Sequence, residues 1–294
     1  MVETMENNFF NKPLEKRDYS FVILSDTQNI VERKPEYYFE MMNWINNNKN
    51  EYNIKAIFHM GDIVNENTKS QWEIAKNGID IIKDIPFIPM MGNHDSKEMF
   101  DQYIKYSDYK QKDYFGGAYY NDSLSHFYWF VNSDKKEYLI ISLGWAPSWD
   151  VLDWADNIIK KYNNKNVIII SHALMHRNGC LLQKHHNYSI TSYEGYEHNP
   201  EGFELWNFFK KHNNVVLTLS GHISSSDISV YKENNVPSLL FDNQDEDKWK
   251  HLCMMGILSF NEENDNCFVN YYSFKENALY KESNQFEVVI KHIK

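Results

Sequence analysis

The stretch "FVILSDTQNI", residues 21–30, sets four apolar residues, Phe21 to Leu24, ahead of Ser25, Asp26, Thr27 and Gln28. It reads as a buried strand that stops on an acid, and the carboxyl end of a strand is where α/β proteins often place chemistry. Two readings of Asp26 are open at this point. It is a metal ligand with Gln28 as an unusual second ligand, or it is a turn residue or helix N-cap.

The same construction recurs along the chain. Apolar runs occur at 54–58 ("IKAIF"), 87–91 ("FIPMM"), 138–143 ("YLIISL"), 167–170 ("VIII") and 215–219 ("VVLTL"). Helical patterns lie between several of them, at 36–47, 68–83, 151–162 and 202–212. Short apolar runs separated by amphipathic helices indicate βαβ units and a largely buried sheet. The final third changes character: "DISVY", "PSLLF", "CMMGILSF", "CFVNYYSF" and "FEVVI" are short strands joined by polar turns, and they read as a second, mainly antiparallel sheet. No internal repeat or Pro/Gly/Ser linker divides the chain. The expectation is a polar N-terminal extension over 1–18 followed by a single domain over 19–294, with two stacked sheets and helices on their outer faces.

Composition narrows the function classes. The chain has 294 residues, 42% of them hydrophobic, so it can bury a sizeable core. Its net charge of −11 argues against a basic surface for nucleic acid or anionic membrane. An acidic protein still binds phosphate when metal ions supply the positive charge. Arginine occurs only at Arg17, Arg33 and Arg177. Cys180, Cys253 and Cys267 form no C-x-x-C pair and no disulfide framework, which suits a reducing, cytoplasmic setting. The polar N-terminus lacks the apolar core of a signal peptide, and no run of about 18 apolar residues is present to span a membrane.

The residues just beyond each strand carry the chemistry. The second run leads into "HMGDIV", the third into "GNHD", the run at 167–170 into "SHALMH" and that at 215–219 into "SGHISSSD". Five strands therefore deliver Asp26, Asp62, Asn93, His94, His172 and His222 to one rim. Glycines at 61, 92 and 221 stand directly before Asp62, Asn93 and His222, where close backbone approach to an ion is needed. Singly, a strand-end Asp is an ordinary turn or cap, and a lone histidine is an ordinary hydrogen-bonded core residue. In this order, each after a strand, the set points to a metal centre.

These motifs resemble the calcineurin-like metallophosphoesterase superfamily, whose pattern runs D-x-H, G-D, G-N-H-[D/E], H and G-H-x-H. The similarity covers roughly residues 20–275 and is nearest to the branch with D-x-Q in the first motif. The resemblance implies an α/β fold of two stacked mixed β-sheets flanked by helices, a four-layer αββα sandwich. It implies two divalent metal ions (Mn, Fe, Zn or similar) bridged by Asp62, with Asp26 and Gln28 on the first and Asn93, His172 and His222 on the second. His94 is then the catalytic residue facing the scissile phosphate, oriented by Asp95. The activity implied is hydrolysis of a phosphomonoester or phosphodiester by attack of metal-bound hydroxide, since two cations neutralise the phosphate and acidify water. A phosphorylated small molecule or phosphoprotein is the expected substrate, with no nucleic acid or membrane partner.

Two departures fall on the first metal. Gln28 stands where histidine is usual, and Ser224 where the second histidine of G-H-x-H belongs. An amide oxygen is a weaker ligand than imidazole and a neutral hydroxyl is poorer still, so the second position is expected to bind more firmly. The same losses motivate an alternative: a catalytically weak relative acting as a metal- or phosphate-binding interaction module. Asp227, three residues beyond Ser224, could compensate, but it reads rather as a turn or strand-start residue. The His-rich segment 172–198 reads as a rim loop in which Arg177 and His176 are candidates for substrate contact, while His185 and His186 read as solvated. Among the dense aromatics, Tyr119 and Tyr120 are candidates for a pocket wall.

Overall fold

Two mixed sheets, each combining parallel and antiparallel pairs, form the scaffold. In the computed structural model, residues 9, 10, 12, 14–244 and 253–293 are described; residues 1–8, 11, 13, 245–252 and 294, and with them much of the expected extension over 1–18, lie outside the description. In chain order the first strands are β1 (Phe9–Phe10), β2 (Tyr19–Leu24), β3 (Ile54–His59) and β4 (Phe87–Ile88). The middle of the chain forms β5 (Phe115–Ala118), β6 (His126–Asn132), β7 (Glu137–Leu143) and β8 (Asn166–Ser171). A hairpin, β9 (Met175–His176) and β10 (Cys180–Leu181), precedes β11 (Val215–Ser220), β12 (Ser225–Glu233) and β13 (Val236–Asp242). The chain closes with β14 (Met254–Phe260), β15 (Asn266–Ser273), β16 (Ala278–Tyr280) and β17 (Gln285–Val289).

One sheet runs β1-β16-β15-β14-β2-β3-β4 with β17 on β15, and the other runs β12-β13-β11-β8-β7-β6-β5. The pairs β2–β3, β3–β4, β7–β8, β8–β11 and β11–β13 are parallel. The expectation that the final third makes a sheet of its own is corrected here. "DISVY" and "PSLLF" become β12 and β13 of the middle sheet, and β14 pairs antiparallel with β2, setting Gly256 opposite Ile23. Every residue of β2 is buried, so both of its edges need partners, and β3 supplies only one. Periodicity identifies a strand but carries no information about which edge it will join. Part of the segment read as an extension also enters the first sheet, with Phe9 and Phe10 opposite Tyr280 and Leu279.

Alternation along the strands builds four layers. On β7, Tyr138 and Ile140 join the core between the sheets with Phe21, Phe58 and Trp129. The alternate residues Leu139, Ile141 and Leu143 face a second cluster with Leu152, Ala155, Ile159, Leu205 and Trp206. Those last five lie on α6 (Trp149–Lys161) and α7 (Gly202–Phe209), while α2 (Pro35–Asn48) and α3 (Lys69–Ile81) pack on the first sheet. The helical patterns coincide with these four helices, and local chemistry explains their ends. Pro35 opens α2, the Thr68 and Ser148 hydroxyls cap α3 and α6, and Glu201 and Glu204 form a capping box on α7. The shorter α-helices among the described residues are α1 (Gln28–Arg33), α4 (Lys97–Tyr103) and α5 (Tyr106–Tyr109).

Asp156 on α6 ties the outer helical layer together, accepting from His212 Nε2 at 2.7 Å and pairing with Lys211 at 3.0 Å and Lys160. Burial alone would raise its pKa, but the hydrogen bonds from Lys160, Lys211 and His212 outweigh it and hold the carboxyl at about 2. A depressed carboxyl stabilises the fold above its unfolded value of about 3.9 and loses that contribution as the pH falls through its folded value. Asp156→Asn is therefore expected to cost about 1 kcal/mol at pH 7 in chemical denaturation. The gap between variant and wild type should close between about pH 4 and pH 2; a gap that does not change with pH contradicts the assignment.

Candidate metal centre

The carboxyl ends of β2, β3, β4, β8 and β11 lie on one rim, and backbone contacts lock their loops to one another. Gln28 N–H donates to the Asp62 carbonyl (3.0 Å), Gly221 N–H to that of His172 (3.1 Å) and His222 N–H to Asp26 Oδ2 (3.1 Å). Asp62 and His222 adopt left-handed backbone conformations, with φ of 49° and 72°. Such conformations cost non-glycine residues about 1–3 kcal/mol and persist only where the surroundings impose them. Gly61 needs its freedom twice over: its φ is 99°, and a Cβ there would meet His172 Nδ1 at 2.3 Å.

The second metal position is the more complete. One ligand atom each from Asp62, His172 and His222 lies within 4.8 Å of the others, and all three residues are buried. Carbonyls fix the tautomers. His172 Nδ1–H donates to Met60 O (2.7 Å), leaving Nε2 to face Asn93 Oδ1 at 2.9 Å and Asp62 Oδ1 at 3.4 Å. His222 Nε2–H donates to Tyr188 O (2.8 Å), leaving Nδ1 as its free nitrogen. Carbonyls behind ligating imidazoles are a regular feature of metal sites. Lone pairs on His172 Nε2, Asn93 Oδ1 and Asp62 Oδ1 therefore converge, an arrangement that requires a proton or a cation between them. Burial disfavours a charged His172, yet the Asp62 carboxylate outweighs it and raises the ring's pKa, whereas burial takes His222 down to about 4. Burial likewise opposes an ionised Asp62, but His172 overcomes it and holds the carboxyl at about 2.

The first position shows its need differently. Asp26 Oδ1 and Gln28 Oε1 are buried and have no hydrogen-bond partner among the described residues. Each such atom costs about 1–3 kcal/mol unless something positive approaches it. Burial, then Asp242, then Asp62 raise the Asp26 pKa well above the carboxylate range. The residues present thus fit a dinuclear divalent centre, with Ser224 in the wall of the adjoining cavity rather than a third strong donor.

His94 and Asp95 part company. His94 N–H donates to Asp62 Oδ1 (2.8 Å), and its ring Nδ1–H donates to Asn65 O (3.2 Å), which leaves Nε2 as the free nitrogen. The expectation that Asp95 orients this ring is corrected. Asp95 is buried and accepts the backbone N–H groups of Ile63 (3.0 Å), Val64 (3.1 Å) and Gly92 (2.9 Å), so it braces the two loops that carry Asp62 and Asn93. Burial, with help from Asp62, pushes its pKa up to about 7 against those three donors. Asp95 is a positioning residue, and the carbonyl of Asn65 is what orients His94.

A cavity of about 490 Å³ opens over the centre, lined by Asp62, Asn93, His94 and His222 together with Arg177, Tyr188, Tyr193 and Gln244. A somewhat larger one, about 580 Å³, lies beside Phe10, Arg17 and Phe268 and holds none of the site residues. Arg177 lines the site cavity, but His176 does not; its ring stacks on His186 with centroids 4.7 Å apart. His186 is half-buried beside Cys180, so only His185 of that pair is exposed. Tyr119 and Tyr120 pack on each other and on His126, and the wall is made instead by Tyr188 and Tyr193 of the rim loop. Asp227 pairs with Lys281 (2.9 Å) as a surface residue. Sequence reasoning missed Trp145, whose ring packs on His172 and His222, and also Asn65, Asp242 and Gln244. The acid closing "PSLLFD" is the signal that could have found Asp242, because it repeats the strand-then-carboxylate construction of "FVILSD".

The family model described as calcineurin-like phosphoesterase matches residues 19–225. The chain belongs to the calcineurin-like phosphoesterase family. The uncharacterized protein YvnB of Bacillus subtilis (strain 168) is 29% identical over 224 residues, which cover 73% of the present chain but only 16% of YvnB. A dimetal phosphatase from Danio rerio superposes with a TM-score of 0.57 at 9% identity, covering 94% of this chain and all (100%) of the other. Purple acid phosphatase PPD1 from yellow lupin (Lupinus luteus) superposes with a TM-score of 0.55 at 15% identity, covering 95% and 55%. At these identities the structural likeness is one of fold. Membership in the family supports metal-dependent phosphoester hydrolysis as the general chemistry. Among the described residues no helix is long and apolar enough to cross a membrane.

Replacing Asp95 by Asn turns one acceptor oxygen into an N–H₂ group aimed at backbone donors. Asp95→Asn is expected to lower stability by about 2 kcal/mol in chemical denaturation and to release bound metal during dialysis. An unchanged denaturation midpoint with full metal retention contradicts the bracing role.

Proposed function

We propose that the chain hydrolyses a phosphomonoester or phosphodiester of small or peptide size at a dinuclear divalent-metal centre. The observation that carries this reading is the convergence of His172 Nε2, Asn93 Oδ1 and Asp62 Oδ1 beside the orphaned oxygens of Asp26 and Gln28. When bound, two divalent cations would supply charge to neutralise the phosphate and would acidify water. Asp26 and Gln28 would hold the first, Asn93, His172 and His222 the second, and Asp62 both.

The remaining work falls to the chain's own side chains. His94, with Nδ1–H held on the Asn65 carbonyl, presents Nε2 to the cavity, where in the imidazolium form, with Nε2 protonated as well, it would give that proton to the departing ester oxygen. Arg177 is the one lysine or arginine in the cavity wall and makes no ion pair among the described residues. Its planar fork suits a phosphate oxygen pair or an acidic substituent. Asn29, Asn65, Tyr188 and Tyr193 otherwise give neutral polar walls, and the volume is that of a small-ligand site. The charge of −11 disfavours long nucleic acid. A cytoplasmic setting is supported by the three cysteines, all free.

Gln28 and Ser224 favour a second reading, a binding module without turnover. One experiment separates the two. Chelator-stripped protein is resupplied with Mn, Fe, Zn, Ni or Co and assayed on aryl phosphates and bis-aryl phosphodiesters. The hydrolase reading predicts metal-dependent turnover that falls about 10²–10⁴-fold in kcat in His94→Ala. Arg177→Ala should raise KM about tenfold with kcat little changed. Stoichiometric metal binding with no turnover of any substrate supports the module instead.

A further inference from the structure

The first metal position, as the resemblance draws it, is short of a ligand. A turn at the end of β13, beyond the residues matched by the family model, meets it from the opposite side. Asp242 is fully buried, and its carboxylate accepts Gln244 N–H (3.1 Å) and Gln244 Nε2–H (3.0 Å). The turn is clamped to the loop after β2: Ser25 Oγ–H donates to Asn243 Oδ1, and Asn29 Nδ2–H donates to Gln244 O at 3.0 Å. Gln244 Nε2 then reaches Asp26 Oδ2 at 3.4 Å. With Oδ2 already accepting His222 N–H, these contacts occupy one oxygen of Asp26 and leave Oδ1 bare beside Gly221. No Cβ fits at Gly221, where it would stand 2.2 Å from that oxygen.

We propose that Asp242 and Gln244 are positioning residues of the first metal position, standing in for the imidazole absent at Ser224. Their place makes that position an all-oxygen site for a hard divalent cation such as Mn²⁺ or Mg²⁺, while the second favours a borderline cation such as Zn²⁺. Among the described residues, the donors left for the first cation are Asp26 Oδ1, Gln28 Oε1 and the shared Asp62 carboxylate, with no nitrogen among them. Those left for the second include two imidazole nitrogens. Oxygen donors suit Mg²⁺ and Mn²⁺, and imidazole suits Zn²⁺. Charge points the same way. Asp26, Asp62 and Asp242 are all buried, and His172 is the one group in ion-pair contact with any of them among the described residues. The first position can thus gain in carboxylate charge what it lacks in imidazole. The inference rests on the dinuclear reading and deepens it.

The test is equilibrium binding of Zn²⁺ and Mn²⁺ to the chelator-stripped chain, followed by calorimetry and by the electron paramagnetic resonance of Mn²⁺. Two equivalents are expected, with a Zn²⁺-to-Mn²⁺ affinity ratio at least tenfold smaller at one than at the other. Gln28→His should raise that smaller ratio at least tenfold. Asp242→Asn and Gln244→Ala should each weaken Mn²⁺ at the same position at least tenfold and leave the tightest Zn²⁺ equivalent within about twofold. Gln244 reaches the cavity surface, so its variant keeps the test in force if Asp242→Asn does not fold. Two equivalents with equal ratios, or Mn²⁺ binding unmoved in Gln244→Ala, overturn the proposal while the dinuclear centre stands. A single equivalent for both metals overturns the dinuclear reading and the proposal with it.

Discussion

Three carboxylates, Asp26, Asp62 and Asp242, are buried on the same rim of this molecule, and among the described residues the His172 imidazole is the one basic group in ion-pair distance of any of them. Isolated buried charge of that kind is not tolerated in a protein interior; it is protonated, paired or given a cation. The rest of the structure depends on how that requirement is met. Burial and mutual repulsion raise Asp26 and Asp242, the latter to about 7, while His172 holds Asp62 at about 2. Three buried carboxylates that oppose one another's charge form a centre whose deficit divalent cations can fill.

The scaffold turns this electrostatic tension into geometry. Parallel strands bring five loops to one rim, and the loops are joined by backbone N–H groups that donate to carbonyls and to buried carboxylates. Asp95 gathers three such N–H groups and so holds the loops bearing Asp62 and Asn93 at a fixed separation. Met60, Asn65 and Tyr188 offer carbonyls that select the free nitrogen of His172, His94 and His222 in turn. Trp145 packs against both rings of the imidazole pair. Ligand atoms are thereby set before any metal arrives, which lowers the reorganisation that binding demands.

Much of this is legible in the sequence because it is local. Strand runs, helix caps and the order of the strand-end motifs are all properties of a few consecutive residues, and the helices at 36–47 and 151–162 are matched within one or two positions. The features that escape such a reading depend on partners distant in the chain. The pairing of β14 with β2 joins residues more than 200 positions apart, and nothing in "CMMGILSF" names its neighbour. Asp95 departs from its expected role for the same reason: adjacency to His94 in sequence suggests contact, whereas the local turn sends the carboxylate inward to Ile63 and Val64. Asp242 and Gln244 come after a strand that reads as part of a C-terminal sheet, so their approach to Asp26 appears only when β13 takes its place beside β11.

The central claim is that Asp62 is shared by two cations, one held by oxygens from β2 and its following helix and one by the imidazoles after β8 and β11. Anomalous-difference density from crystals grown with Mn²⁺ and Zn²⁺ tests it most directly. Two peaks are predicted, both touching the Asp62 carboxylate, one against Asp26 Oδ1 and Gln28 Oε1 and one against His172 Nε2 and His222 Nδ1. Density confined to one of these places, or to neither, contradicts the account.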